Sequence, residues 1–102
     1  MPKYVIAYHG GKKIESSQEG AAHMAKWKAW VSGLGDAVVN PGTPLGKGKL
    51  ISSRDVSDGG ANLLTGFSMI MADNMEAALE MAQGCPFLEI GTIEIAEVME
   101  MK

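Results

Sequence analysis

Apolar residues alternate from the start of the chain. In "KYVIAYH" (Lys3 to His9), Tyr4, Ile6 and Tyr8 face one side, and Val5, Ala7 and His9 face the other. Both sides carry apolar groups, which predicts a strand covered on both faces. It ends at Gly10-Gly11. The period then lengthens. At about 100° per residue, His23, Trp27, Trp30 and Leu34 fall within an arc of roughly 60°, the apolar stripe of a helix. Ser16 caps this helix, with Glu19 three residues on as the second half of a capping box. Gly33 and Gly35 end it.

Further along, Ala37 to Val39 predicts a second strand. Asn40-Pro41-Gly42 predicts a turn, since proline disfavours a central ladder position. Lys49 to Ser53 reads as a short third strand, and the polar "RDVSDGGAN" as loop. "GFSMIMA" (Gly66 to Ala72) alternates again with apolar groups on both faces. Asp73 is the expected cap of a second helix, with Glu76 at the box position and Met75, Ala78, Leu79 and Ala82 at helical spacing. Gly84 and Pro86 stop it. "GTIEIAEVMEM" is the last strand, with Ile93 and Ile95 inward, Glu94 outward and a change of phase after Ala96.

The order β-α-β-(β)-β-α-β predicts a ferredoxin-like α+β fold, an antiparallel sheet with two helices on one face. Two helices cover one face only, yet the strands are apolar on both. A second copy of the sheet would cover the other, so a homodimer is expected.

Composition adds exclusions. The 102 residues suit one domain over 1–102, and 46% apolar with 21% charged residues is ordinary for a globular protein. Nine basic and twelve acidic residues give a net charge of −3, which argues against nucleic acid as a partner. The lysines cluster loosely at Lys12, Lys13, Lys26, Lys28, Lys47 and Lys49. That is compatible with an anionic small ligand or with solvated loops and helix faces. The single cysteine, Cys85, rules out an intrachain disulfide and, with eight methionines, fits a reducing cytoplasm. No signal peptide is visible, and no apolar run approaches the ~20 residues that span a bilayer, so no membrane partner is expected.

Taken together, three stretches resemble the YCII-related family and its DGPF-like branch, within the dimeric α+β barrel superfamily. They are "KYVIAYHGG", "AAHMAKWKAWVSGLGDAVVNPGTPL" and "GFSMIMADNMEAALEMAQGCPFLEIGTIEIAEV", nearly the whole chain. The resemblance implies a two-sheet barrel built by a homodimer, with a cleft between sheet and helices. It also implies a histidine and an aspartate proposed as a catalytic pair. His23 matches that histidine. The aspartate belongs in an Ala-Asp-Pro-aromatic stretch that is "GCPF" here, so Cys85 takes its place, as is common in the DGPF-like branch. "DGGAN" (Asp58 to Asn62) resembles that branch's loop without its Pro-Phe.

The candidate chemistry centres on His23. A neutral imidazole beside Trp27, in an apolar setting, could act as a general base. A buried histidine satisfied by a backbone carbonyl or by a neighbouring carboxylate is the plainer reading. A base needs an orienting group: Glu19, one turn earlier on the same face, is one candidate, although it is also the capping-box residue, and Asp58 is another. Cys85 is either a thiol made reactive by a nearby His23 or a packed small side chain. Trp27, Tyr8, His9 and Met69 are the expected lining of a ligand cleft, with ordinary core as the alternative. No metal site and no cofactor are expected, because two histidines and one thiol lack ligand spacing. "HGGKK" and "LGKGK" do not match the phosphate-cradling pattern, and turn chemistry accounts for them.

The sequence therefore predicts a small cytoplasmic homodimer that binds a small organic molecule near His23, with isomerase-like or lyase-like proton transfer if it is an enzyme. The alternative is a non-catalytic accessory or binding module with a structural His23. An enzyme needs a reachable imidazole beside a cleft, with a polar partner. A module predicts an occluded one.

Overall fold

A computed structural model describes residues 1–11, 16–58 and 63–99. The elements are β1 (Lys3–His9), α1 (Ser17–Leu34), β2 (Val38–Pro44), β3 (Leu50–Ile51), β4 (Val56–Ser57), β5 (Leu64–Met71), α2 (Met75–Gln83) and β6 (Thr92–Glu97). Short 3-10 turns cover Gly35–Ala37 and Pro86–Glu89. Four strands form one sheet in the order β2-β5-β1-β6, every neighbour antiparallel. This is the ferredoxin-like order that the sequence pattern predicts. β3 and β4 pair apart from it as a two-stranded arm.

The alternation in β1 decides where the core sits. Tyr4, Ile6 and Tyr8 are buried, and the register sets Ile6 between Ser68 and Ile95, and Tyr8 between Gly66 and Ile93. Small residues on α2, Ala78 and Ala82, are buried against them. α1 contributes no fully buried residue; Trp27, Trp30 and Leu34, along the predicted stripe, pack on the core from its edge. Trp30 Nε1 donates to the Met81 carbonyl at 2.9 Å, so α1 satisfies one of the last-turn acceptors of α2. The large side chains wholly removed from solvent are Ile6 and Ile70, a thin core for a sheet of this width.

On the opposite sheet face, Val5, Ala7, Phe67, Met69 and Met71 are half-buried, and neither helix lies on that side. The arm is also apolar: Leu50, Ile51 and Val56 are all exposed.

Several boundaries differ from the sequence reading. Ser16 does cap α1, its hydroxyl accepting from Glu19 N at 3.0 Å. The cap of α2 is Asn74 and not Asp73: Asn74 Oδ1 accepts from Ala77 N at 2.9 Å. The stretch read as pure loop contains β4, and the short third strand shrinks to two residues paired with it. Residues 59–62 of that stretch and the end of the last strand beyond 99 lie outside the described residues.

Asn40-Pro41-Gly42 does not end β2. It is an irregularity inside the strand, between the Asn40–Met69 and Thr43–Phe67 pairs. β2 is an edge strand, so Pro41 costs no ladder bond there. Gly42 holds φ at 76°, and a Cβ on it would lie 1.6 Å from the Phe67 carbonyl oxygen. Only glycine fits that position. Gly42→Ala should therefore destabilise the fold by at least ~2 kcal/mol. The check is the urea midpoint, read with an unchanged slope; a midpoint equal to wild type would mean the bulge relaxes freely.

Candidate functional site

The site grows from Tyr8 on the central strand. Its hydroxyl lies 2.8 Å from Ser68 Oγ, and Ser68 Oγ donates to the Pro41 carbonyl at 2.7 Å. A carbonyl only accepts, so the single serine proton is committed to Pro41. The Tyr8 phenol must then donate to Ser68. The Trp27 indole and the Cys85 thiol both lie close to the phenol. The bulge in β2 thus delivers the acceptor that anchors Ser68 and, through it, Tyr8. The Tyr8 ring meets Phe87 at 5.0 Å between centroids, tilted by 45°.

Above this frame is a cavity of about 240 Å³ between α1 and the β2–β5 side of the sheet. His23, Met24 and Trp27 of α1 line one wall. Tyr8 and the β5 segment from Thr65 to Phe67 form the floor, Thr43-Pro44 one rim, and Phe87 and Ile90 the far side. The lining is almost wholly apolar. His23 is half-buried, and no group among the described residues hydrogen-bonds its imidazole. No buried side-chain nitrogen or oxygen among them lacks a partner, so the imidazole nitrogens are reachable from the cavity or solvent. Among the described residues His23 lacks the protein hydrogen bond that a structural histidine would make.

The other sequence candidates separate. Trp27 and Tyr8 line the cavity with His23, but His9 and Met69 do not. His9 bonds Glu94 Oε1 through Nε2 at 3.0 Å, and Met69 alternates onto the open sheet face. Glu19 sits exposed at the start of α1, outside the cavity lining. Asp58 pairs with Lys49 across the arm. Cys85 belongs with Tyr8 and a different groove, of about 530 Å³, whose Lys26 and Glu89 pair with each other at 3.4 Å. None of the three proposed partners of His23 lines its cavity. Reasoning from sequence missed Phe87, Ile90, Phe67 and the Thr43–Pro44 rim. The "CPF" stretch was the one available signal, since it marks Phe87. Gly91 confirms how closely that ring packs: a Cβ there would fall 2.4 Å from the Phe87 edge. No group of metal-binding side chains occurs among the described residues.

This fold, with a cleft between helix and sheet, is that of the dimeric α+β barrel proteins. The chain belongs to the YCII-related domain family, whose match spans residues 1–102. A solved structure of 5-chloro-2-hydroxyhydroquinone dehydrochlorinase (TftG) from Burkholderia phenoliruptrix AC1100, in complex with 2,5-dihydroxybenzoquinone, is similar to it. The two superpose with a TM-score of 0.61 at 16% identity, over 97% of this chain and 95% of that one. At that identity the likeness establishes the fold. No curated protein matches the sequence. Among the described residues no helix is long and apolar enough to cross a membrane.

Burial pushes both the Cys85 thiol and the Tyr8 phenol above their ordinary ranges; for Cys85 the Phe87 backbone N–H pulls the other way. The folded state holds the neutral forms. Their contribution to stability is complete below the ordinary thiol value of 9.0 and is lost as pH rises through the higher folded values. Thermal melting between about pH 7 and 11 should show stability falling from about pH 9 upward, with a later onset in Cys85→Ala. A profile flat to pH ~10 and identical in the variant would remove the claim.

Proposed function

We propose that this chain binds a small ring compound in the His23 cavity, with the imidazole as the group that exchanges a proton with it. One observation carries the reading. A reachable imidazole with no partner among the described residues opens into an apolar cavity walled by Trp27, Tyr8 and Phe87. Aromatic walls suit a flat ring, and an imidazole is the side chain most readily used for proton transfer near neutral pH. The base would take a proton from an acidic C–H or hydroxyl of the ligand. It could return it at another carbon, giving isomerisation, or hold it while a leaving group departs, giving elimination. A quinone-type ring bound to a protein of the same fold supports the choice of ligand class.

No carboxylate among the described residues lines the His23 cavity, which favours a second reading, an accessory binding module without catalysis. Turnover separates the two, since either needs the cavity.

The first probe is 2,5-dihydroxybenzoquinone, followed by the His23 ring signals in NMR. They should shift on binding, and His23→Gln should weaken binding at least fivefold while changing stability by less than ~0.5 kcal/mol. Unmoved His23 signals would end the reading. So would a stability loss above ~1 kcal/mol in His23→Gln, which would mark a structural hydrogen bond.

We further infer that a second copy covers the open sheet face. The molecule is a slab of 44 × 38 × 18 Å exposing 7181 Å², against about 5,500 Å² for a compact monomer of this mass. The excess is on the scale of one partner's share of a stable interface, ~800 Å² or more. The same partner would give the apolar arm a surface to pack on. Sedimentation equilibrium should return twice the 10.8 kDa chain mass, and Met69→Lys should return the single mass. A wild-type monomer at micromolar concentration would overturn this.

A further inference from the structure

The two glycine–lysine stretches of the sequence meet in space. Gly10-Gly11, after β1, and Gly46-Lys47-Gly48, after β2, line one cleft of about 240 Å³. Two backbone bonds fix the loops against β5 and its lead-in: Gly10 N donates to the Leu63 carbonyl at 2.8 Å, and Leu45 N to the Thr65 carbonyl at 2.9 Å. The peptide N–H groups of Gly11, Gly46, Lys47 and Gly48 have no protein acceptor among the described residues. Gly10 and Gly11 hold φ at 71° and 120°, consecutive left-handed values that glycine alone takes easily. Lys47 is the one ionisable side chain among the lining residues, and no carboxylate joins it. Peptide N–H groups without an acceptor among the described residues, in a cleft that a lysine lines, form an environment for an anion.

This cleft adjoins the His23 cavity. Thr65 lines both, and the adjacent residues Pro44 and Leu45 line one each. Phe87, on the far wall of the His23 cavity, reaches Gly11: a Cβ there would lie 3.5 Å from the ring. A molecule with its ring beside His23 can therefore extend a substituent over Thr65.

We propose that the glycine-lined cleft is the second half of the ligand site and takes an anionic substituent, carboxylate or phosphate, on a small ring compound. The proposal rests on the reading of the His23 cavity and narrows its ligands to ring compounds bearing a negative charge. Lys47 supplies the counter-charge, and the N–H groups of Gly11 and Gly46 to Gly48 supply the hydrogen bonds.

The test compares benzoate with benzamide, alike in shape and different in charge, alongside inorganic phosphate. Amide and His23 signals are followed by NMR in wild type and in Lys47→Ala, an exposed position where folding is not at risk. Benzoate should bind about tenfold tighter than benzamide, with less advantage as salt rises. It should move both the His23 ring and the amides of Gly11, Gly46 and Gly48. Phosphate alone should move the glycines and not His23. Lys47→Ala should abolish the benzoate advantage and leave benzamide unchanged. If benzoate and benzamide move His23 equally and the glycines stay still, the anion cleft is wrong and the His23 reading survives. If phosphate moves the glycines and neither ring moves His23, the cleft stands and the His23 reading fails. Glycine amides unmoved by both phosphate and benzoate overturn the proposal whatever His23 does.

Discussion

A single proton placement holds the layers of this protein in register. The Ser68 hydroxyl gives its proton to the Pro41 carbonyl, so the Tyr8 phenol must give its own to Ser68. That chain runs from the edge strand, through β5, to the centre of the sheet. From Tyr8 it reaches α1 through the Trp27 indole and the turn after α2 through Cys85 and Phe87. Buried polar groups are costly when unpaired, and here every one among the described residues has a partner. The Tyr8 ring is then fixed as the floor of the cavity. The same hydrogen bonds that stabilise the core therefore set the shape of the site. The irregular "NPG" stretch matters because it turns the Pro41 carbonyl toward Ser68.

The second constraint is coverage. An antiparallel sheet has two faces, and two helices shield one of them. β1 and β5 carry apolar side chains toward both, so the open face must find another covering or remain a liability. The fully buried large side chains are Ile6 and Ile70, which leaves little margin for an isolated protomer. Pairing of two sheets through Val5, Phe67, Met69 and Met71 would supply the missing core. The His23 cavity lies on the helix side of the sheet, so that pairing would leave its mouth free.

Local signals in the sequence were sufficient for the elements and poor for their contacts. Alternation in β1 and β5 and the stripe from His23 to Leu34 are periodic patterns, and both locate real faces. Asp73 and Asn74 are equally good caps by chemistry. The extended backbone at Asn74 decides between them, and no residue type announces that. Pro-Gly is a turn signal, but on an edge strand the same pair makes a bulge. Glu19 looked like a partner for His23 because four residues make one helical turn, yet Glu19 lies in the exposed first turn while the cavity begins at His23. Cys85 and Tyr8 meet only because β1 is central and α2 returns over it. Phe87, Phe67 and Pro44 reach the cavity by the same long-range route, as do the two glycine loops.

The missing carboxylate bears on mechanism. An imidazole that accepts a proton becomes a cation inside an apolar cavity, where nothing from the described chain offsets its charge. An aspartate is the usual answer, and this chain has Cys85 in that place, turned to Tyr8. The offsetting charge would then come from the ligand. An anion in the adjoining cleft would offset part of that charge, with less effect where solvent reaches between them. A ligand anchored as an anion beside Lys47 would bring a negative charge into the neighbourhood of His23, and a neutral ring in the same cavity would not. On this view Lys47 selects the compounds on which His23 can act, and the loss of the aspartate is tolerable because the substrate replaces it.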